Sequence, residues 1–316
     1  MRIVYMGTPS FAVPPLEALI AAEGIEVIAV CTQPDRSKGR GNKMLMSPVK
    51  ELALRHAIPV LQFEKLRRKD GVEALRALAP DLFVTAAFGQ ILSPRLLDIP
   101  ARGTVNLHAS LLPRYRGPAP IHWCLIQGET ETGVTTMMTD AGIDTGDMLL
   151  SSKIAILPDE TAGELTERLS RVGAQLLVQT LRRLEAGDCP RMPQQEELAT
   201  RQPMLEKEHG RMDWMQSAQT LAHLVRGVDP WPGAWTEMGD EVLKIWRVRV
   251  GEIDVGQAQP GQILCANDKR GLWVATGDGV LEIVEMQAPA AKRMRATDYL
   301  RGHPIAEGTR LGKAEP

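Results

Sequence analysis

At 316 residues the chain has room for about two domains of roughly 150 residues, each long enough to bury its own core. Its 37 Lys and Arg against 39 Asp and Glu leave a formal charge of −2, so no global field draws it to nucleic acid or an anionic membrane, and any polyanion site must be local. With 44% hydrophobic and 24% charged residues, collagen-like and disordered classes are excluded, and no apolar run approaches the length of a membrane span.

Along the chain, short apolar runs alternate with amphipathic patterns. Residues 3–6 predict a strand, so the N-terminus reads as folded chain and not as a signal peptide. Residues 13–22 predict the helix that follows, with apolar positions three and four apart, and 27–32 the next strand. Helices follow at 49–56, opened by Ser47 as N-cap and Pro48 in the first turn, and at 72–78. Residues 82–87 and 104–109 are further strands, and 134–138 is an apolar alternation. Strands and helices in this alternation imply an α/β fold with a doubly wound, mainly parallel sheet. A long helix starts at Thr161, where Thr161-Ala-Gly-Glu164 is a capping box, and runs to about residue 185, ahead of Gly187.

Periodicity then vanishes. Pro190, Pro193, Pro203 and a Gln/Glu cluster mark 189–207 as a linker between a first domain at 1–188 and a second at 208–316. In the second, a helix at 217–226 precedes strands at 242–250, 261–264, 272–276 and 280–286 with Gly-rich turns, which predicts a small β-barrel. Five of the six tryptophans, Trp214, Trp231, Trp235, Trp246 and Trp273, lie there and are expected to pack its core. The four cysteines are scattered singly, so no structural zinc site is expected, and free thiols fit a reducing cytoplasm.

Four segments of the first domain are candidates for chemistry. The turn Met6-Gly7-Thr8-Pro9-Ser10-Phe11 stands where a dinucleotide fold places three glycines; it has one, which argues against a nicotinamide cofactor. Residues 34–43 carry Arg36, Lys38, Arg40 and Lys43 against Asp35 alone, either a grip on a phosphate backbone or a solvated loop. In 103–118, Asn106, His108 and Ser110 share one face of an extended chain. Polar groups at the carboxyl end of a strand buried on both faces cost free energy unless they meet a ligand or each other, and that end is where such sheets bind ligands. Asparagine can stabilise an oxyanion and histidine can move a proton. The Gly-rich loop 139–147 can bring Asp140, Asp144 or Asp147 to that imidazole, a set suited to acyl-type transfer. Taken singly, a structural histidine and Asx turns account for the same residues. Ser110 lacks a nucleophile elbow, so direct attack by a substrate nucleophile is expected over covalent catalysis. In the second domain Arg247 and Arg249 alternate on a strand and Lys292-Arg293-Met-Arg295 forms a compact basic cluster, although from Glu208 onward the chain counts 13 basic and 15 acidic residues.

Taken in order, these segments resemble the methionyl-tRNA formyltransferase family nearly end to end: Met6 to Phe11, Pro34-Asp-Arg36 to Gly41 with Ser47-Pro48-Val49-Lys50, residues 106–123, Gly142-Ile-Asp144-Thr-Gly-Asp147, Pro230-Trp231-Pro232-Gly233-Ala234, and Lys292-Arg293-Met294. The resemblance implies transfer of a formyl group from 10-formyltetrahydrofolate to the amine of methionine on initiator tRNA. By the family pattern Asn106, His108 and Asp144 are catalytic. Ser110, Leu111, Leu112 and Pro113 contact the folate, and Phe88, Gly89 and Gln90 line its pocket. The loop around Arg40 enters the acceptor stem, and the second domain is an OB-like barrel that holds the tRNA further along, with Arg247, Arg249, Lys292, Arg293 and Arg295 on the phosphates. No metal is needed, no membrane is involved and a monomer is expected. Two departures stand out, the slightly acidic second domain and the lead-in Thr139-Asp140-Ala141, less acidic than the family's. The same trio would serve a formyl-folate enzyme acting on a purine ribotide or amino sugar, but the basic loop and second domain favour tRNA. A silent RNA-binding protein is disfavoured because all three positions are intact, and a dehydrogenase by the missing glycines.

Overall fold

The computed structural model describes residues 1–38, 43–253 and 255–312. Two compact units result: Met1–Pro120, Glu131–Ala155 and Thr166–Gln202 form one, and Ile121–Thr130, Ile156–Leu165 and Pro203–Pro316 the other. The stretch expected as a linker is thus divided, 189–202 belonging to the first unit and 203–207 to the second.

The elements run β1 (Arg2–Gly7), α1 (Val13–Ala21), β2 (Glu26–Thr32), β3 (Arg36–Lys38), β4 (Lys43–Leu45), α2 (Pro48–Arg55), β5 (Val60–Gln62), α3 (Lys69–Ala77), β6 (Leu82–Ala86), α4 (Pro94–Leu97) and β7 (Thr104–His108). After these come α5 (Pro120–Ile126), β8 (Glu131–Met138), β9 (Met148–Ala155) and α6 (Ala162–Ala186). The sheet has the order β5-β2-β1-β6-β7-β8-β9. It is parallel from β5 to β7, and β8 and β9 add antiparallel strands at one edge. All five residues of β6 are buried, as a strand covered on both faces requires. By contrast β9 alternates partly or fully exposed positions along its length, and its Ser151-Ser152-Lys153 hides it from a search for apolar runs.

Local chemistry fixes the helix starts. Ser47 Oγ accepts from the Lys50 amide at 3.1 Å with Pro48 in the first turn. The box at Thr161 closes reciprocally: its hydroxyl accepts from the Glu164 amide at 3.3 Å and its amide donates to Glu164 Oε2 at 2.9 Å. Val4, Met6, Ala29, Cys31, Phe83 and Phe88 pack with Leu66, Val72 and Leu75 in a core beside the sheet. Burial there pushes the Cys31 thiol up to about 12, so it is an inert hydrophobe, and none of the four cysteines is in a disulfide.

In the second unit, α7 (Ala218–Gly227), capped by Ser217, precedes β10 (Ala234–Met238), β11 (Glu241–Gly251), β12 (Ile263–Asn267), β13 (Gly271–Ala275), β14 (Val280–Gln287), β15 (Met294–Arg295) and α8 (Ala296–Gly302). The strands form an antiparallel sheet of order β10-β11-β14-β13-β12, with β15 on β14. Trp214, Leu221, Val225, Leu243, Ile245, Ile283 and Met286 share its core. Trp214 packs as expected. Trp231 does not: it is 51% exposed, in the turn that leads into β10, while Pro232 and Gly233 after it are buried. Among the described residues no helix is long and apolar enough to cross a membrane.

Candidate active site

The site is built at the carboxyl end of β7. There Asn106 pairs with Thr85 of β6 on one side and Met137 of β8 on the other, and His108 lies opposite Thr135. The two residues share a face by strand alternation, and a third segment, the loop between β8 and β9, folds over that face. Asp144 sits in this loop at φ +54°, a backbone conformation uncommon outside glycine, which marks a position held by its surroundings. Gly146 permits the fold of the loop: a Cβ there would lie 1.9 Å from the Met138 carbonyl oxygen.

The three predicted side chains come together. Asp144 Oδ2 is 3.6 Å from His108 Nδ1, and Asn106 Nδ2 reaches Asp144 Oδ1 at 3.5 Å. Both are long for hydrogen bonds. Asp144 Oδ2 also accepts from the Gly117 amide at 2.9 Å, and Asn106 Oδ1 accepts from the Thr85 hydroxyl at 2.7 Å. This last bond fixes the carboxamide so that its NH2 faces the loop. His108 is 7% exposed, and its Nε2 lies 2.9 Å from the Tyr115 carbonyl oxygen. Both ring nitrogens therefore face oxygens. Of the other two carboxylates, Asp140 accepts from the Gly142 amide at 2.9 Å and from the Thr145 hydroxyl at 2.7 Å, the local turn that sequence allowed for.

The residues expected at the folate are held as follows. Ser110 is buried and its hydroxyl donates to the Arg114 carbonyl at 2.7 Å, while Leu112 N donates to Thr135 Oγ1 at 3.3 Å. Leu111 packs beside Gly133, and Pro113 O accepts from the Thr200 amide at 3.3 Å. Phe88 points into the core, whereas Gly89 and Gln90 line a shallow depression with Glu64, Lys65, Arg67 and Ile91. The Gln90 side chain braces that rim, accepting from Leu66 N at 2.7 Å and donating to Phe63 O at 2.8 Å.

The expected tRNA-binding cations divide. Arg36 is paired with Glu64 at 2.6 Å. Lys38 pairs with Lys43 across the β3–β4 hairpin by backbone, and Arg40 lies outside the described residues. Arg249 donates through Nε and Nη2 to Glu282, and Arg293 reaches Glu285 at 2.7 Å and Asp229 at 3.3 Å over the Trp246 ring. Arg247, Lys292 and Arg295 are exposed. Among the described residues no group of three or more His, Cys, Asp or Glu side chains is placed to hold a metal ion.

Spacing gave no hint of Arg116 or Gln194. Arg116 is 1% exposed, and its guanidinium donates to Gln194 Oε1 at 2.9 Å and Glu196 Oε2 at 2.6 Å. That bond holds the Glu196 carboxyl below its ordinary range. A buried arginine and a glutamine in a proline-rich stretch leave no periodic trace, so only the folded chain reveals them.

A mainly parallel sheet followed by an antiparallel unit is the two-part architecture of a formyltransferase. Residues 1–181 match the family described as formyl transferase, and 204–304 match the formyl transferase C-terminal domain. Among its relatives, the methionyl-tRNA formyltransferase of Geotalea uraniireducens (strain Rf4) is 52% identical over 315 residues, 100% of this chain and 99% of that one. The methionyl-tRNA formyltransferase of Ruminiclostridium cellulolyticum is 48% identical over 316 residues, 99% and 100% of the two chains. The chain belongs to the methionyl-tRNA formyltransferase family. Solved structures share the fold at lower identity. The sugar 3N-formyl transferase WlaRD superposes with a TM-score of 0.65 at 16% identity, over 92% of this chain and 99% of that one. HypX from Aquifex aeolicus in complex with tetrahydrofolic acid gives 0.63 at 19%, over 100% of this chain and 51% of that one.

Proposed function

We propose that the protein transfers the formyl group of 10-formyltetrahydrofolate to the α-amino group of methionine esterified to initiator tRNA, giving N-formylmethionyl-tRNA for translation initiation. The observation that carries this reading is identity of about half over the full length of both chains with relatives of that name, covering the second unit as well as the first. A formyl acceptor as small as an amino sugar gives no reason to retain the basic segment at 36–43.

In the reaction the methionyl amine attacks the formyl carbon. Asn106 and protonated His108 stabilise the oxyanion of the tetrahedral intermediate. Asp144 orients His108 and assists passage of the amine proton toward N10 of the folate, so that the C–N10 bond breaks as N10 takes that proton. No covalent enzyme intermediate forms. The folate lies against Ser110 to Pro113 and the rim at Gly89 and Gln90, a reading supported by their place beside strand carboxyl ends; Phe88 contributes through the core. Arg36, Lys38, Arg40 and Lys43 meet the acceptor stem. Arg247, Lys292 and Arg295 offer exposed charge to phosphates, while Arg249 and Arg293 do so against the competition of Glu282, Glu285 and Asp229. The protein acts as a cytoplasmic monomer without metal.

Purified protein, 10-formyltetrahydrofolate and either methionyl initiator tRNA or free methionine make the direct test. Rapid formylation of the tRNA ester alone is expected. Transfer to free methionine at the same efficiency, or none to tRNA from protein that binds folate, would redirect the assignment to another amine.

A further inference from the structure

Three segments distant in sequence meet behind Asp144. Gln194 Nε2 donates to the carbonyls of both Asp144 and Gly146, each at 2.8 Å, and its Oε1 accepts from Arg116 Nε at 2.9 Å. The carboxamide has one orientation only, because a flip would set its oxygen against two carbonyls and its NH2 against a guanidinium donor. Arg116 is anchored in turn. Its backbone amide donates to Thr200 O at 2.8 Å and its carbonyl accepts from Gln202 N at 3.1 Å, and its guanidinium also donates to Glu196 Oε2 at 2.6 Å. The residues on either side of Arg116 are the ones that touch the trio: the Tyr115 carbonyl faces His108 Nε2, and the Gly117 amide donates to Asp144 Oδ2.

We propose that Gln194, held by Arg116, is a positioning residue: it clamps the Asp144 turn at both carbonyls and so sets the carboxylate against His108. The inference rests on the formyl-transfer reading above. It enlarges the site from three side chains to a second tier drawn from the proline-rich stretch before the second unit. Gln194 bonds the two loop carbonyls and Arg116, and Arg116 bonds Gln194 and Glu196. Their effect passes through Asp144, and small misplacements of a catalytic group are costly, about a hundredfold per ångström.

The test is a double-mutant cycle on the full chain, with wild type, Gln194→Glu, Asp144→Asn and the double variant, in steady-state formylation of initiator methionyl-tRNA. Gln194→Glu keeps the shape but turns an oxygen toward the two carbonyls. It should lower kcat about tenfold or more, leave KM for both substrates within about threefold, and change kcat less than about twofold when Asp144 is already Asn. Equal losses in both backgrounds, or a loss confined to KM, would overturn the proposal. A second readout does not need activity: the imidazole nitrogen resonances of His108 should move in Gln194→Glu in the same direction as in Asp144→Asn. If wild type formylates no tRNA, the functional reading fails by itself, and unmoved His108 resonances would still overturn the positioning role. Gln194→Met, which removes the polar group at similar volume, repeats both readouts. Failure of both Gln194 variants to fold would make the side chain purely structural and overturn the proposal.

Discussion

At the scale of single residues, the site depends on groups that hold other groups. Asn106 is oriented by Thr85, His108 faces Tyr115 O, and Asp144 takes an amide from Gly117. Sequence alternation was enough to place Asn106 and His108 on one face, since strand geometry decides that from numbering alone. Choosing Asp144 over Asp140 and Asp147 was not possible from spacing, because the fold of a nine-residue polar loop is set by contacts with Gln194 and Gly117 that no local pattern encodes. Gly146 gives the sharpest residue-level prediction. In Gly146→Ala the new methyl meets the Met138 carbonyl and shifts the loop, so kcat should fall by about a hundredfold with the fold retained; kinetics beside a thermal melt check this. Asp229 gives a second. Burial raises its carboxyl above the usual range against the pull of Arg293, so its favourable contribution is complete at low pH and is lost as pH rises through its folded value. The stability of Asp229→Asn relative to wild type should therefore increase from acid toward neutral pH in denaturant titrations, and a flat difference would contradict it.

At the scale of elements, segments that announce themselves chemically were legible. The caps at Ser47 and Thr161 and the apolar runs of β1, β2, β6 and β7 follow from propensity and periodicity. Elements without such signals were not. The edge strand β9 carries Ser, Ser and Lys because one face meets solvent, and α4 is a single turn. The stretch 189–202 has no periodicity because it is held by side-chain and bridge contacts, Met192 on Met148 and Thr200 under Tyr115, and not by a ladder of its own. The box at Thr161 provides the element-level prediction. Thr161→Ala should cost about 1 kcal/mol, the usual worth of a helix cap. Two bonds from Thr161 to the Glu164 carboxylate hold that carboxyl below its ordinary range, so the part of the cap's contribution that runs through the carboxylate is present near neutrality and lost as pH falls through the depressed value. Chemical denaturation of both proteins at neutral and strongly acid pH checks the sign: the gap should narrow in acid.

For the whole molecule, the charge balance of −2 leaves recognition of a polyanion to local clusters. The structure identifies cations already engaged by carboxylates, Arg249 and Arg293 among them, a distinction composition cannot make. Affinity for tRNA should fall with salt at a log–log slope of only a few charges. Arg295→Ala should reduce that slope by about one, and Arg249→Ala, whose guanidinium is bound by Glu282, by less. The central claim is narrower: His108, set between Tyr115 and Asp144, carries the proton chemistry of formyl transfer. It is tested most directly by the single-turnover rate of formyl transfer from 10-formyltetrahydrofolate to initiator methionyl-tRNA at saturating folate, in wild type and His108→Ala. A rate at least about a hundredfold lower, with folate affinity retained, is the predicted result; a rate like that of wild type would contradict the account.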